Sequence, residues 1–147
     1  MAPVDVMTET TIERPVEVVA GYVADPSNAP EWYVNIDSVD WRTSPPAAVG
    51  SRMEFAARFM GRQLRYTYEI VTLEPGRRLV MRTAEGPFPM ETTYTWEPAR
   101  DGATRMTLRN RGRPAGFSKL MAPLMVPAMR RANRKDLARL KSLLESR

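Results

Sequence analysis

Residues 63–83 read QLRYTYEIVTLEPGRRLVMRT. Leu64, Tyr66, Tyr68 and Ile70 occupy alternate positions, with Arg65, Thr67 and Glu69 between them. A period of two sends successive side chains to opposite faces of an extended chain, so this stretch reads as a strand with one apolar face. Pro75-Gly76 interrupts the pattern with a turn signal, and alternation resumes at Leu79, Met81 and Thr83 against Arg78 and Arg82. Two amphipathic strands joined by a tight turn pair antiparallel, and such a pair needs a cover on one face only.

The same pattern extends in both directions. Turn signals at Ser44-Pro45-Pro46, Gly61-Arg62, Gly86-Pro87 and Asp101-Gly102 divide the middle of the chain into strands near 37–43, 50–60, 63–74, 77–85, 89–97 and 103–111. Val4, Val6, Thr8, Thr10 and Ile12 alternate with polar neighbours and add one more at the start. One face carries Met53, Phe55, Ala57, Phe59, Leu64, Tyr66, Tyr68, Ile70, Leu79, Met81, Met90, Thr92, Tyr94, Trp96, Met106, Leu108 and Asn110. The other carries Glu54, Arg58, Arg65, Glu69, Arg78, Arg82, Glu91, Glu97, Arg105, Arg109 and Arg111, mixed charges able to pair across strands in water.

The C-terminal segment is expected to supply the cover. Phe117, Leu120, Met121, Leu124, Met125, Ala128, Met129, Ala132, Leu137, Leu140 and Leu144 recur at helical spacing, with cations mostly on the remaining faces. Near the start, Pro15 opens a helix carrying Val16, Val19, Ala20 and Val23, and Asp25-Pro26 ends it. The stretch PSNAPEWY reads as a second short helix that turns Trp32 and Tyr33 inward. The expected architecture is α+β in a single domain spanning 1–147: a curved antiparallel seven-stranded sheet wrapped around a long C-terminal helix, with two short helices after the first strand.

Methionines 121, 125 and 129 share a stripe that Pro123 and Pro127 interrupt. Proline inside a helix removes a donor and clashes with the carbonyl four residues back, at a cost of roughly 3 kcal/mol. Two readings stand side by side: a deformable methionine-lined wall, or a terminal helix that begins near Pro127 after a separate turn.

Composition narrows the chemistry. The chain has 147 residues, 43% hydrophobic and 27% charged, with neither histidine nor cysteine. Ser-His-Asp triads, Cys-His pairs, disulfides and ordinary zinc sites are thereby excluded, and no Gly-rich nucleotide motif, P-loop or G-x-S-x-G is present. No metal and no cofactor is expected. With neither a leader-like N-terminus nor a membrane-length apolar run, the expected location is cytoplasmic. Charge is uneven: residues 1–108 hold 11 Lys and Arg against 15 Asp and Glu, and residues 109–147 hold 11 against 2. A solvated helix face accounts for this. It also suits an acidic partner, whereas the lack of aromatics beyond Phe117 argues against nucleic acid.

The inner face has too many polar groups for a dry core. Tyr66, Tyr68, Tyr94, Thr83, Thr92, Thr104 and Asn110 lie among the Met and Phe residues, and each buried hydroxyl or amide needs a partner. Such a face fits a cavity that holds water or a ligand. Its expected lining is Trp41, Phe55, Phe59, Tyr66, Tyr68, Met81, Thr83, Met90, Thr92, Tyr94, Met106, Leu108, Asn110, Phe117, Met121 and Met125.

The stretches IERPVEVVAGYVADPSNAPEWY, VGSRMEF, YEIVTLEPGRRLVMRT, TTYTWEP and TRMTLRNRG resemble those of the START-like, or SRPBCC, superfamily, most of all its polyketide cyclase/dehydrase-like bacterial branch. That resemblance spans almost the whole chain and implies a helix-grip fold with a ligand cavity between sheet and long helix. It implies binding or transport of an apolar small molecule such as a lipid or polyketide, and it carries over no fixed catalytic motif. The alternative is a cyclase or dehydratase acting on a free or carrier-bound polyketide. In that case Tyr66, Tyr68 or Tyr94 would donate to an enolate, Glu85 would act as base, and the basic terminal helix would dock an acidic carrier protein. A third reading makes that helix an interaction module.

Overall fold

The computed structural model of the chain describes residues 3–113 and 120–147. Strand β1 (Val4–Ile12) is followed by helix α1 (Val16–Val23), a 3-10 turn over Pro26–Asn28 and helix α2 (Ala29–Trp32). Strands β2 (Ile36–Trp41), β3 (Arg52–Phe59), β4 (Arg62–Glu74), β5 (Arg78–Glu85), β6 (Met90–Arg100) and β7 (Ala103–Gly112) come next, and helix α3 (Ala122–Glu145) closes the chain. All seven strands form one sheet in the order β1-β7-β6-β5-β4-β3-β2, and every neighbouring pair is antiparallel. The expected meander and the expected faces are both present.

Turn chemistry sets the register. Between β3 and β4, Met60 (φ 50°) and Gly61 (φ 78°) form a two-residue loop in the left-handed region, the conformation that matches strand twist in a tight hairpin. This places Phe55 opposite Tyr66 and Met53 opposite Tyr68. The outer face is laced by ion pairs that cross strands: Asp5 accepts from Arg109 at 2.8 and 2.6 Å, and Glu91 from Arg82 at 2.6 Å and Arg111 at 2.5 Å. With the cations out in solvent, such pairs add little to stability.

The inner face is covered by more than the C-terminal helix. Val19, Ala20 and Val23 of α1 and Trp32 of α2 are buried with Leu137, Leu140 and Leu144 of α3 in the main core, over Met53, Ile70, Leu79, Trp96, Met106 and Leu108. The link between β1 and α1 is stitched to the end of α3. Arg14 donates to the Leu144 carbonyl at 2.8 Å, placing a cation at the negative end of the helix, and Lys141 donates to the Thr11 carbonyl at 2.6 Å. A smaller cluster of Val4, Val6, Met125 and Met129 lies toward the other end.

Helix α3 resolves the two readings of the methionine stripe. The helix starts at Ala122, so Pro123 occupies its tolerant first turn, while Pro127 lies inside it and breaks the bond to the Pro123 carbonyl. No separate turn precedes a helix beginning at Pro127. Among the described residues, no helix is long and apolar enough to cross a membrane.

Candidate ligand cavity

Between the two buried clusters, α3 and the sheet leave a cavity of about 140 Å³. Strands β3 to β7 provide Phe55, Ala57, Phe59, Leu64, Tyr66, Tyr68, Met81, Thr83, Met90, Thr92, Tyr94 and Asn110. Helix α3 adds Met125, Met129, Ala132, Asn133 and Asp136; Tyr33, Asn35, Pro87 and Phe88 fill the corners. The walls are mostly apolar and aromatic. Phe55 stacks on Tyr66 at 5.7 Å between ring centroids, and Tyr66 meets Tyr68 edge to face at 5.0 Å.

The buried polar groups form two strings. In the first, the Tyr33 and Tyr94 hydroxyls lie 2.5 Å apart. In the second, the Tyr68 hydroxyl lies 2.7 Å from Thr92 Oγ1, Thr92 donates to Asn110 Oδ1 at 2.6 Å, and Asn110 Nδ2 donates to Asn133 Oδ1 at 3.3 Å. Because Thr92 spends its single proton on Asn110, Tyr68 is the donor to Thr92. Burial pushes Tyr68 up to about 12 and Tyr33, Tyr66 and Tyr94 well above the ordinary phenol value, so all four are neutral donors around neutral pH.

Asp136 is the exceptional group. It is 3% exposed, and its Oδ1 accepts from the Val34 backbone N–H at 2.9 Å. Burial raises its carboxyl to about 7, against the lowering effects of that hydrogen bond and of Arg139 one turn along the helix. Near neutrality it is therefore poised between a donor and an acceptor.

Of the residues expected to line the cavity, Phe55, Phe59, Tyr66, Tyr68, Met81, Thr83, Met90, Thr92, Tyr94, Asn110 and Met125 are brought together there. Met106 and Leu108 are not: both are fully buried in the main core. Trp41 instead lines a separate groove of about 890 Å³ against α1 and Trp96, where its Nε1 donates to Ser27 Oγ at 2.8 Å. Met121 sits just before α3, half-buried and off the lining, and Phe117 lies outside the described residues. Glu85 is exposed at the end of β5 and does not face the cavity. Strand alternation gives the face of a residue but not its place along the strand, which separates cavity wall from packed core.

Sequence reasoning missed Asp136, Asn133, Asn35, Tyr33, Phe88, Met129 and Ala132 as lining residues. The available signal was helical: Met125, Met129, Asn133, Asp136 and Leu140 follow one another at steps of four, four, three and four, so two polar residues interrupt an inward stripe. Among the described residues, no cluster suited to a metal ion is found.

Residues 3–145 match the family described as polyketide cyclase/dehydrase and lipid transport. The chain belongs to that family. Its architecture is the helix-grip fold of the START-like superfamily. A protein from Thermus thermophilus superposes with a TM-score of 0.82 at 20% identity over 97% of each chain. The Zhui aromatase/cyclase from a Streptomyces species gives 0.82 at 16% identity, over 98% of this chain and 94% of that one. A START superfamily protein from Mycobacterium smegmatis gives 0.72 at 13%, over 97% and 94%. No curated protein gives a sequence match. The family as described joins hydrophobic-ligand and cyclase roles, and at such identities the structural relatives speak for the fold alone.

Proposed function

We propose that this protein binds an apolar small molecule, lipid-like or polyketide-like, in the cavity between the sheet and α3. The observation that supports it best is the wall itself: Phe55, Phe59, Leu64, Met81, Met90, Met125 and Met129 surround space that the fold leaves unfilled. Apolar ligand surface entering it contributes about 2.5 kcal/mol per 100 Å² before ordering costs. Methionines at 125 and 129 adapt to more than one ligand shape.

A test is native mass spectrometry on gently purified protein, followed by release and identification of any bound mass, alongside an Ala132→Phe variant that fills the cavity from α3. The expected outcome is a ligand of a few hundred daltons on the wild type and loss of it in a variant with unchanged circular dichroism. Ligand retained by the filled variant would place binding elsewhere.

A second reading, turnover of a polyketide-like substrate, is favoured by one feature: the cavity holds a carboxyl, Asp136, near its titration midpoint at neutral pH, beside neutral tyrosine donors. Asp136 replaces Glu85 as its acid–base candidate. On this reading Arg131, Arg134 and Lys135, exposed on α3, would meet an acidic carrier protein.

A further inference from the structure

The polar groups of the cavity differ in what they leave unused. The Tyr33–Tyr94 pair and the Tyr68–Thr92–Asn110–Asn133 string bond among themselves, leaving Asn133 Nδ2 sealed without a partner. Tyr66 hydroxyl and Asp136 Oδ2 do not: neither has a hydrogen bond to another described residue. Nor are they sealed in the protein, since the buried orphan atoms among the described residues are Trp32 Nε1, Trp96 Nε1 and Asn133 Nδ2. Both residues line the cavity, and Asp136 is too buried for its open oxygen to reach bulk water, so that oxygen faces the cavity space.

We propose that the occupant carries a carbonyl oxygen at one end of its apolar body, and that the neutral Asp136 carboxyl and the Tyr66 hydroxyl both donate to it. This rests on the binding reading above and names the chemistry of its ligand. A carbonyl oxygen has two lone pairs and no proton, which matches two open donors. A carboxylate headgroup is disfavoured. The one cation among the described lining residues, Arg58, is exposed on β3 and engaged with Asp37 at 3.1 Å, so a carboxylate brought out of water there would lack a free cation to pair with. An ammonium headgroup would need Asp136 ionised, and burial opposes that form.

The assignment makes affinity depend on pH through one group. The titratable groups facing Asp136 are Tyr33 after α2, Tyr66 on β4 and Tyr94 on β6, all held neutral by burial; the neighbouring cations are Arg139 on its own helix and Arg58 on β3. Only Asp136 changes state near neutrality. Once ionised, it presents lone pairs to the lone pairs of the carbonyl.

The test compares four naphthalene probes of similar shape by calorimetry: methyl naphthyl ketone, its carbonyl-free isostere isopropenylnaphthalene, naphthoate and naphthylethylamine. The ketone is expected to bind about tenfold tighter than the isostere near pH 6, and within about threefold of it near pH 8.5. Asp136→Asn keeps an acceptor for the Val34 N–H and puts a permanent donor where Oδ2 was, so its tenfold preference should persist at both pH values. Tyr66→Phe should lower the preference about threefold at the lower pH. A ketone preference that is absent, or insensitive to pH in the wild type, overturns the proposal. So does preference for naphthoate, or for the amine with affinity rising with pH. Failure of the isostere itself to bind a folded protein overturns the binding reading beneath it, a result distinct from the others.

Discussion

Leu137, Leu140 and Leu144, on the second half of α3, are sealed against α1, α2 and the sheet, each at most 2% exposed. On the first half, Met125 and Met129 share their inward stripe with Asn133 and Asp136, and the surface they face includes open space. One helix lies on one sheet, yet only its first half borders a cavity. The difference comes from who else is present. At the packed end, Val19, Ala20, Val23 and Trp32 fill the gap between sheet and helix. Around the cavity the helix side chains change from branched aliphatics to methionine, amide and carboxyl. Close packing and open space are thus divided along a single element.

Truncation should show this division directly. Leu140→Ala removes a fully buried side chain from a closed environment and should cost about 3 kcal/mol in denaturant unfolding, with transfer and cavity terms adding. Met129→Ala loses packing on Val4 and Val6 but borders space that already exists on its other side, so its cost should be lower, nearer about 2 kcal/mol. Equal losses would mean that the two ends are packed alike.

Asp136 sharpens the same contrast through pH. Its folded value near 7 is raised above an ordinary carboxyl, so the folded state holds a proton that the unfolded state releases. Its contribution to stability is whole below about pH 4 and is lost as pH rises through about 7. Asp136→Asn should therefore match the wild type in acid and exceed it by on the order of 4 kcal/mol near pH 8. The readout is the difference between the two unfolding curves, because Asp5, Glu54 and Glu91, lowered chiefly by hydrogen bonds from Arg109, Arg42 and Arg111 respectively, drive both proteins the opposite way in acid. A variant that loses stability near pH 8 would contradict the burial argument.

The smallest effect belongs outside both regions. Arg109→Ala breaks the paired hydrogen bonds to Asp5 on the solvated face and should barely shift the denaturant midpoint, less still in high salt.

The fold was legible because every strand alternates and every turn is marked. Pro75-Gly76, Gly61 and Gly102 mark hairpins whose strands differ from the expected ends by a few residues at most. The strand side of the cavity was legible for the same reason: Tyr66, Tyr68, Thr92, Tyr94 and Asn110 share the inward phase. The helix side was not. A polar residue on an amphipathic helix is ordinarily assigned to solvent, and only its phase among Met125, Met129 and Leu140 reveals that Asp136 points in. Nor does alternation carry depth along a strand, so Met106 and Leu108 read like Tyr94 although they lie beneath the packed end. Trp41 reads inward too, but it borders the groove beside α1.

Pro127 gives α3 a missing rung. Lacking an amide hydrogen, it leaves the opening turn tied to the remainder by one backbone bond fewer. Met125 is therefore held by its side-chain packing on Val4 and Val6 more than by the helix, while Asn133 and Asp136 sit where the ladder is whole.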